Sequence, residues 1–232
     1  MSKPDQINGV AVPYHASTPV LIAQLKADPP ACWVAYVALA YRTEESEVNA
    51  LVDNAMSSDW CHRRAAAESL GHHGESDVIA PTLLKMLDDE SQYVIRTACS
   101  ALARLGRTEA HERILRLLGS IEPLTRSECL RALRVLWRET DFEPIFSIFE
   151  RDPFEDVKRE AAWTLREHAG NLNWRRLFDV WKTGNLSRYR IWACELADAF
   201  GSLAVLDNLK RLAGDEDGHV RKAAKSSLEK VG

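Results

Sequence analysis

A repeat of 31 or 32 residues runs through almost the whole chain, and it constrains the fold more than any other feature of the sequence. The clearest copies begin at Val94 and Val220, and they align over thirteen residues without a gap. Each copy is centred on one small residue. The seven central residues are Ala35, Ala66, Ala98, Cys129, Ala161, Ala193 and Ala224. A fixed period of this length indicates stacked units that bury their apolar faces only against one another.

Each repeat predicts two helices. Apolar residues recur four apart around the central small residue, which is the spacing of a helix. A second apolar stretch precedes this helix, as in Val78–Leu87, and breakers such as Pro29 or Gly184 separate the two stretches. The sequence therefore predicts an all-α fold, an α-solenoid (superhelix) of seven antiparallel helix pairs over residues 17–232. Residues 1–16 form a separate N-terminal segment in this prediction.

The repeated motif Asp-x(3–6)-Val-Arg-x-x-Ala-x(3)-Leu-x(3)-Gly resembles the short HEAT-like repeats of the phycobilisome-lyase type. This resemblance covers roughly residues 18–232. It implies first helices on the convex side, second helices on the concave side, and the binding of other macromolecules. Repeats four and six depart from the motif, because Ser127 and Ile191 replace its basic residue and an arginine precedes each of them.

Composition narrows the function classes. The chain has 30 basic and 34 acidic residues, so no bulk positive field indicates nucleic acid. Its longest apolar run, residues 31–41, is too short to span a bilayer. The five cysteines include no Cys-x-x-Cys pair, which argues against a disulfide framework or a zinc site. We expect a soluble, cytoplasmic protein with no membrane contact, no cofactor and no metal.

Positions two before, two after and five after the central residue share the outer face of each second helix. In repeats three to six these positions predict a strip that binds a partner. The strip consists of Arg96, Arg131, Arg134, Arg159, Trp163, Arg166 and Glu195. An exposed Trp among arginines is typical of a binding hot spot. The structural alternative is that arginines at the start of the second helix pair with an Asp of the preceding turn and join helix layers. It applies to Arg64, Arg96, Arg159 and Lys222.

The second helix of the first repeat is apolar on every side, although a terminal helix has only one neighbouring repeat. Its residues Trp33, Val37 and Tyr41 therefore predict an apolar interface. We expect residues 1–16 to fold back over it, and another chain is the alternative cover.

No catalytic motif stands out in the sequence. His72, His73 and Glu75 form too short a cluster to predict a metal site. The deoxyhypusine hydroxylases are similar around residues 64–71 but need several His-Glu pairs for iron, whereas this chain has only His111-Glu112.

Two functions follow from these patterns. The favoured one is a protein without catalytic activity, a scaffold or adaptor that binds an acidic protein surface. Assembly chaperones and immunity-type proteins that neutralise bacterial toxins both belong to this class. The alternative is a nucleic-acid-binding relative of the alkylpurine DNA glycosylases, which are HEAT-like solenoids. The residues that imitate their binding surface are Trp163, Arg131, Arg159 and either Glu195 or Asp198.

Overall fold

The computed structural model describes residues 4–42, 44–73, 76–171, 173–200 and 203–231. In these ranges the chain forms one short β-hairpin and fourteen α-helices. The hairpin consists of β1 (Gln6–Ile7) and β2 (Val10–Ala11). The helices are α1 (Thr18–Gln24), α2 (Ala31–Leu39), α3 (Glu45–Asn54), α4 (Trp60–Leu70), α5 (Ile79–Lys85), α6 (Gln92–Arg104), α7 (His111–Arg116), α8 (Pro123–Val135), α9 (Phe142–Arg151), α10 (Glu155–Glu167), α11 (Trp174–Trp181), α12 (Ser187–Phe200), α13 (Leu206–Leu212) and α14 (Gly218–Val231). The chain divides into two compact units, Met1–Thr164 and Leu165–Gly232.

Odd-numbered helices are the first helices of the repeats, and even-numbered helices are the second helices. Within the first unit α1 packs on α2, α3 on α4, α5 on α6 and α7 on α8. Within the second unit α11 packs on α12 and α13 on α14. The predicted all-α solenoid of seven helix pairs is confirmed.

The small residue at the centre of each second helix faces the interior. All seven central residues have 0% of their surface exposed to solvent. A small side chain at this point allows the neighbouring helix to approach closely, and the helical period then buries the residues three and four positions away. The central residues therefore set which face of each second helix remains outside.

Neighbouring second helices pack at very short range. A Cβ atom on Gly71 would lie 2.7 Å from the Cβ of Ala101 on α6. This contact corrects one expectation from the sequence. Three residues five positions after the centre were expected on the outer surface, but they are buried: Ala40, Gly71 and Ala103.

Hydroxyl groups three residues after the centre join some of these helices. Ser69 Oγ donates to the carbonyl oxygen of Tyr36 at 2.9 Å, across α4 and α2. Thr164 Oγ1 and Ser227 Oγ make the equivalent bonds to earlier second helices. Each bond satisfies a buried hydroxyl and fixes the helical register between two repeats.

Buried arginines bridge successive repeats. Arg63 Nε and Nη2 donate to both carboxylate oxygens of Asp89 at 2.7 and 2.9 Å, and its Nη1 donates to the carbonyl oxygens of Ser57 and Ser58. Arg126 binds Asp152 in the same way at 2.7 and 2.9 Å. In the second unit, Arg190 binds Asp215 at 2.8 and 3.0 Å. We call each of these units an Arg–Asp clamp.

The clamps correct the expected role of a neighbouring position. The sequence placed the joining arginine two residues before the centre, at Arg64, Arg96, Arg159 and Lys222, paired with the preceding turn. The clamp arginines stand three residues before the centre and reach the aspartate of the following repeat. One residue along a helix rotates the side chain by roughly 100°. This rotation separates the buried clamp position from the exposed position of Arg64 and Arg159.

The hairpin precedes α1 and packs on α2. Its turn is Asn8-Gly9, with φ angles of 50° and 79°, a pair favoured in two-residue hairpin turns. Among the described residues, no helix has the length and apolar character needed to cross a membrane.

The contact at Gly71 predicts a stability loss for a single added methyl group. We expect Gly71→Ala to lower the free energy of unfolding by about 1–3 kcal/mol, because α4 and α6 must move apart. Gly119→Ala is the matched control, since no atom lies within 4 Å of the added Cβ. Denaturant unfolding measures both variants, and equal midpoints would contradict the close packing of α4 and α6.

The clamps also predict sensitivity to acid. Burial would raise the pKa of Asp89, Asp152 and Asp215, but hydrogen bonds from the clamp arginine and a backbone N–H outweigh burial and lower each pKa below 3.8. A carboxyl with a lowered folded-state pKa stabilises the fold above its unfolded pKa, and this contribution disappears as the pH falls through the folded pKa. We therefore expect stability to decline below about pH 4.

The Asp152→Asn variant tests this assignment. It leaves the buried Arg126 charge uncompensated, so we expect a loss of about 3 kcal/mol at neutral pH and a smaller decline below pH 4. Asp207→Asn is the control, because the Asp207 side chain is 95% exposed. An acid profile that Asp152→Asn leaves unchanged would show that the clamps do not control it.

Candidate functional site

The seven strip residues fall in both units. The first unit holds Arg96 on α6, Arg131 and Arg134 on α8, and Arg159 and Trp163 on α10. The second unit holds Arg166 and Glu195. The structure gives each unit its own part of the predicted surface.

Arg96 and Arg131 line one shallow groove of about 260 Å³ on the first unit. Glu68 and Glu128 line the same groove, together with the apolar side chain of Leu124. The groove runs across α4, α6 and α8, so its arginines alternate with carboxylates. This surface carries both signs of charge.

Arg131 is held between two carboxylates. It donates to Glu128 at 2.9 Å and to Glu160 on the next second helix at 3.0 Å. Burial opposes its charge, but the hydrogen bonds and charges of Glu160 and Glu128 outweigh burial and raise the pKa of Arg131. The Arg131 guanidinium is therefore oriented by its neighbours, and its positive charge is largely compensated.

Trp163 stands beside this ion-pair network. Its side chain is 42% exposed, and the Arg134 guanidinium carbon lies 5.7 Å from its ring centroid. Arg134 also lies 4.0 Å from Glu160, whereas Arg159 pairs with Asp156 on its own helix. A half-exposed indole under an arginine offers a large, rigid contact area at little entropic cost.

The second unit repeats this pattern in a smaller form. Arg166 donates to Glu195 on α12 at 2.9 and 2.5 Å, and its guanidinium lies 5.4 Å from the centroid of Trp192. Lys230 pairs with Asp198 at 2.6 Å. Charged residues on adjacent second helices thus bind each other laterally in both units.

A second aromatic and arginine cluster was missed from the sequence. Trp60 and Tyr93 are 38% and 53% exposed, and their rings stack at 4.8 Å. The Arg96 guanidinium covers the Tyr93 ring at 4.8 Å. Within the described residues, neither Arg64 nor Arg96 has a carboxylate partner. The available signal was an aromatic residue at or next to the start of two consecutive second helices.

Trp33 and Val37 line a pocket of about 360 Å³ between the hairpin turn and α4. Ile7 and Asn8 form its side on the hairpin. The Tyr41 ring lies 6.0 Å from the ring of Tyr14. The described part of the N-terminal segment therefore lies beside the apolar surface that the sequence pointed to.

Polar contacts hold the rest of the segment in place. Arg42 donates to the carbonyl oxygens of Tyr14, at 2.9 Å, and Ala16. It also pairs with the buried Glu47 at 3.1 Å. Tyr36 lies under the pocket with its hydroxyl 3.0 Å from Asn54 Oδ1, and burial raises its pKa.

Removing residues 1–16 is expected to expose Trp33 and Val37. We predict a lower melting temperature or concentration-dependent association, which differential scanning fluorimetry and sedimentation velocity measure. Deletion of residues 1–3 alone is the control, because it leaves both hairpin strands intact. Unchanged melting and sedimentation after the longer deletion would show that the segment does not protect this surface.

The described residues contain no group of three or more His, Cys, Asp or Glu side chains placed to hold a metal ion. Glu75, the third member of the His72-His73 cluster, lies outside the described residues. His111 is buried, and its Nε2 lies 2.8 Å from the buried carboxylate of Asp141. That pair joins α7 to the turn before α9, so His111 has a structural partner.

Comparison with known proteins agrees with this geometry. Residues 80–166 match the family model for HEAT repeats. No curated protein matches the sequence.

Solved structures give the same fold. The phycocyanin lyase complex of CpcE and CpcF from Nostoc sp. PCC7120 is 18% identical with a TM-score of 0.56, covering 100% of this chain and 99% of that chain. Escherichia coli YibA is 15% identical with a TM-score of 0.64, covering 93% of each chain. Kap95p, in its complex with RanGDP, is 13% identical with a TM-score of 0.60, covering 92% of this chain and 34% of that chain. Residues 80–166 thus carry HEAT repeats, and the chain has the solenoid fold of these HEAT-like proteins, as the repeated motif predicted.

Proposed function

We propose that this chain is a non-catalytic protein-binding scaffold that uses the outer face of its second helices. The observation that carries the proposal is the half-exposed Trp163, which lies under Arg134 beside the Arg131–Glu160 ion pair. An indole in this setting gains much more from burial against a partner than a solvated charge does. Arg166 and Glu195 offer a similar contact in the second unit.

An acidic protein surface fits this face better than a nucleic acid does. Arg64 and Arg96 have no carboxylate partner in the described part of the chain, so a partner's carboxylates have two open cations to contact. Glu68, Glu128 and Glu160 stand among the arginines and would repel a continuous phosphate backbone. Mixed charge of this kind favours a protein partner whose charges alternate in a matching order.

The fold supports the same class of function. Kap95p, which shares this fold, is bound to RanGDP in its solved structure, and CpcE and CpcF form a complex with each other. An adaptor, an assembly chaperone or a toxin-neutralising protein that acts in the cytoplasm fits this role.

The double variant Arg131→Ala and Trp163→Ala tests the proposal. We expect it to lower partner recovery by at least about tenfold in affinity capture from the native source, because hot-spot residues each contribute more than ~1 kcal/mol. Arg116→Ala, on the first helix α7, is the matched control for an exposed arginine. Melting temperatures from circular dichroism should be equal for the wild type and Arg116→Ala. The double variant should melt only slightly lower, because it loses the Arg131 ion pairs.

Two outcomes would contradict this proposal. One is undiminished recovery of every partner by the double variant. The other is tight binding of a labelled DNA duplex that weakens steeply with salt, which would assign the surface to nucleic acid.

A further inference from the structure

The three Arg–Asp clamps use the same atoms in the same order. In each one, Nη1 of the arginine donates to the carbonyl oxygens six and five residues earlier, as Arg190 does to Gly184 at 2.8 Å and Asn185 at 3.3 Å. Nε and Nη2 then bind the aspartate of the following repeat. The carbonyl bonds orient the guanidinium, and the carboxylate completes its shell.

Arg221 on α14 makes only the first half of this arrangement. Its Nη1 donates to the carbonyl oxygens of Asp215 at 2.7 Å and Glu216 at 2.8 Å, which are again six and five residues earlier. Within the described residues, no carboxylate binds its Nε or Nη2. The guanidinium therefore presents a two-donor fork that fits one carboxylate.

The surface around Arg221 is open and positively charged. Arg221, Lys222 and Lys225 line a surface groove of about 450 Å³ on α14, and Glu229 is its one acidic lining residue. Lys230 is already paired with Asp198. The groove belongs entirely to the second unit.

We propose that this face of α14 is a docking surface for a different protein, which places an aspartate from the turn before one of its helices on Arg221. The partner's aspartate would then bind Nε and Nη2 of Arg221 as Asp89, Asp152 and Asp215 bind the arginines of the three clamps. Its acidic side chains would also meet Lys222 and Lys225. This proposal is independent of the function assigned to the strip on the first unit.

A second copy of this chain fits the surface poorly. Two α14 faces in contact would bring the same three cations together. A head-to-tail copy would offer Lys26, because Lys26 stands nine residues before the central Ala35, as Asp89 does before Ala98. Like charges at that position oppose binding.

The first experiment supplies the missing carboxylate from the chain's own sequence. Residues 202–232 are repeated once after Gly232, which places the duplicated aspartate 25 residues after Arg221, the separation of Arg190 and Asp215. In this extended chain, an Asp→Asn change at the duplicated copy of Asp215 should lower the melting temperature by about 5 °C. When Arg221→Ala is already present, the same Asp→Asn change should leave the melting temperature unaltered. A double-mutant cycle of Arg190→Ala and Asp215→Asn in the unextended chain is the positive control, because it measures the coupling across a complete clamp. Absence of coupling to Arg221, with coupling at Arg190, would overturn the proposal.

The second experiment uses the unextended chain and does not depend on the folding of the added repeat. A carbodiimide joins lysine amines to contacting carboxylates without a spacer. In extracts of the native source we expect crosslinks from Lys222 or Lys225 to an Asp or Glu of another protein, lost in Arg221→Ala and retained in Arg188→Ala. Arg131→Ala with Trp163→Ala should leave them unchanged, which separates this surface from the proposed scaffold surface. Crosslinks only between copies of this chain, or crosslinks insensitive to Arg221→Ala, would overturn the proposal.

Discussion

The rest of the structure depends on a buried arginine that joins one repeat to the aspartate of the next. Its guanidinium loses its hydration on burial, which costs several kcal/mol unless every donor is paired. At Arg126 the pairing includes two carbonyl oxygens and both oxygens of Asp152. Because those partners come from two repeats, the charge is satisfied only when the repeats are stacked in one register. The clamp therefore acts mainly on specificity of stacking.

The clamp alternates along the array. Arg63, Arg126 and Arg190 belong to repeats two, four and six, so these clamps occur in every second repeat. Close backbone contact and hydroxyl bonds also hold the second helices together, as at Gly71 and Ser69. With the helices fixed in this way, their outer faces carry lateral ion pairs and a few half-exposed aromatic side chains. Those faces are the surface left for a partner.

Much of the fold follows from periodicity, because burial in a helix repeats every three to four residues and each central residue is small. That pattern predicts the helix pairs, the buried centres and the exposure of Arg131 and Trp163. It does not choose between Arg63 and Arg64, because the choice depends on where the next repeat's Asp89 lies. The pairing of Arg131 with Glu160 spans 29 residues and depends on the spacing between two helices. The hairpin leaves no alternating pattern in the sequence, because each of its strands has only two residues.

A double-mutant cycle on Arg126 and Asp152 tests the central claim most directly. The free energies of unfolding of Arg126→Ala, Asp152→Ala and the double variant are compared with those for Arg131 and Glu160, a partly exposed pair across α8 and α10. The clamp predicts a coupling energy above about 2 kcal/mol for the first pair. It predicts less than about 1 kcal/mol for the second. Equal coupling in both pairs, below about 0.5 kcal/mol, would contradict it.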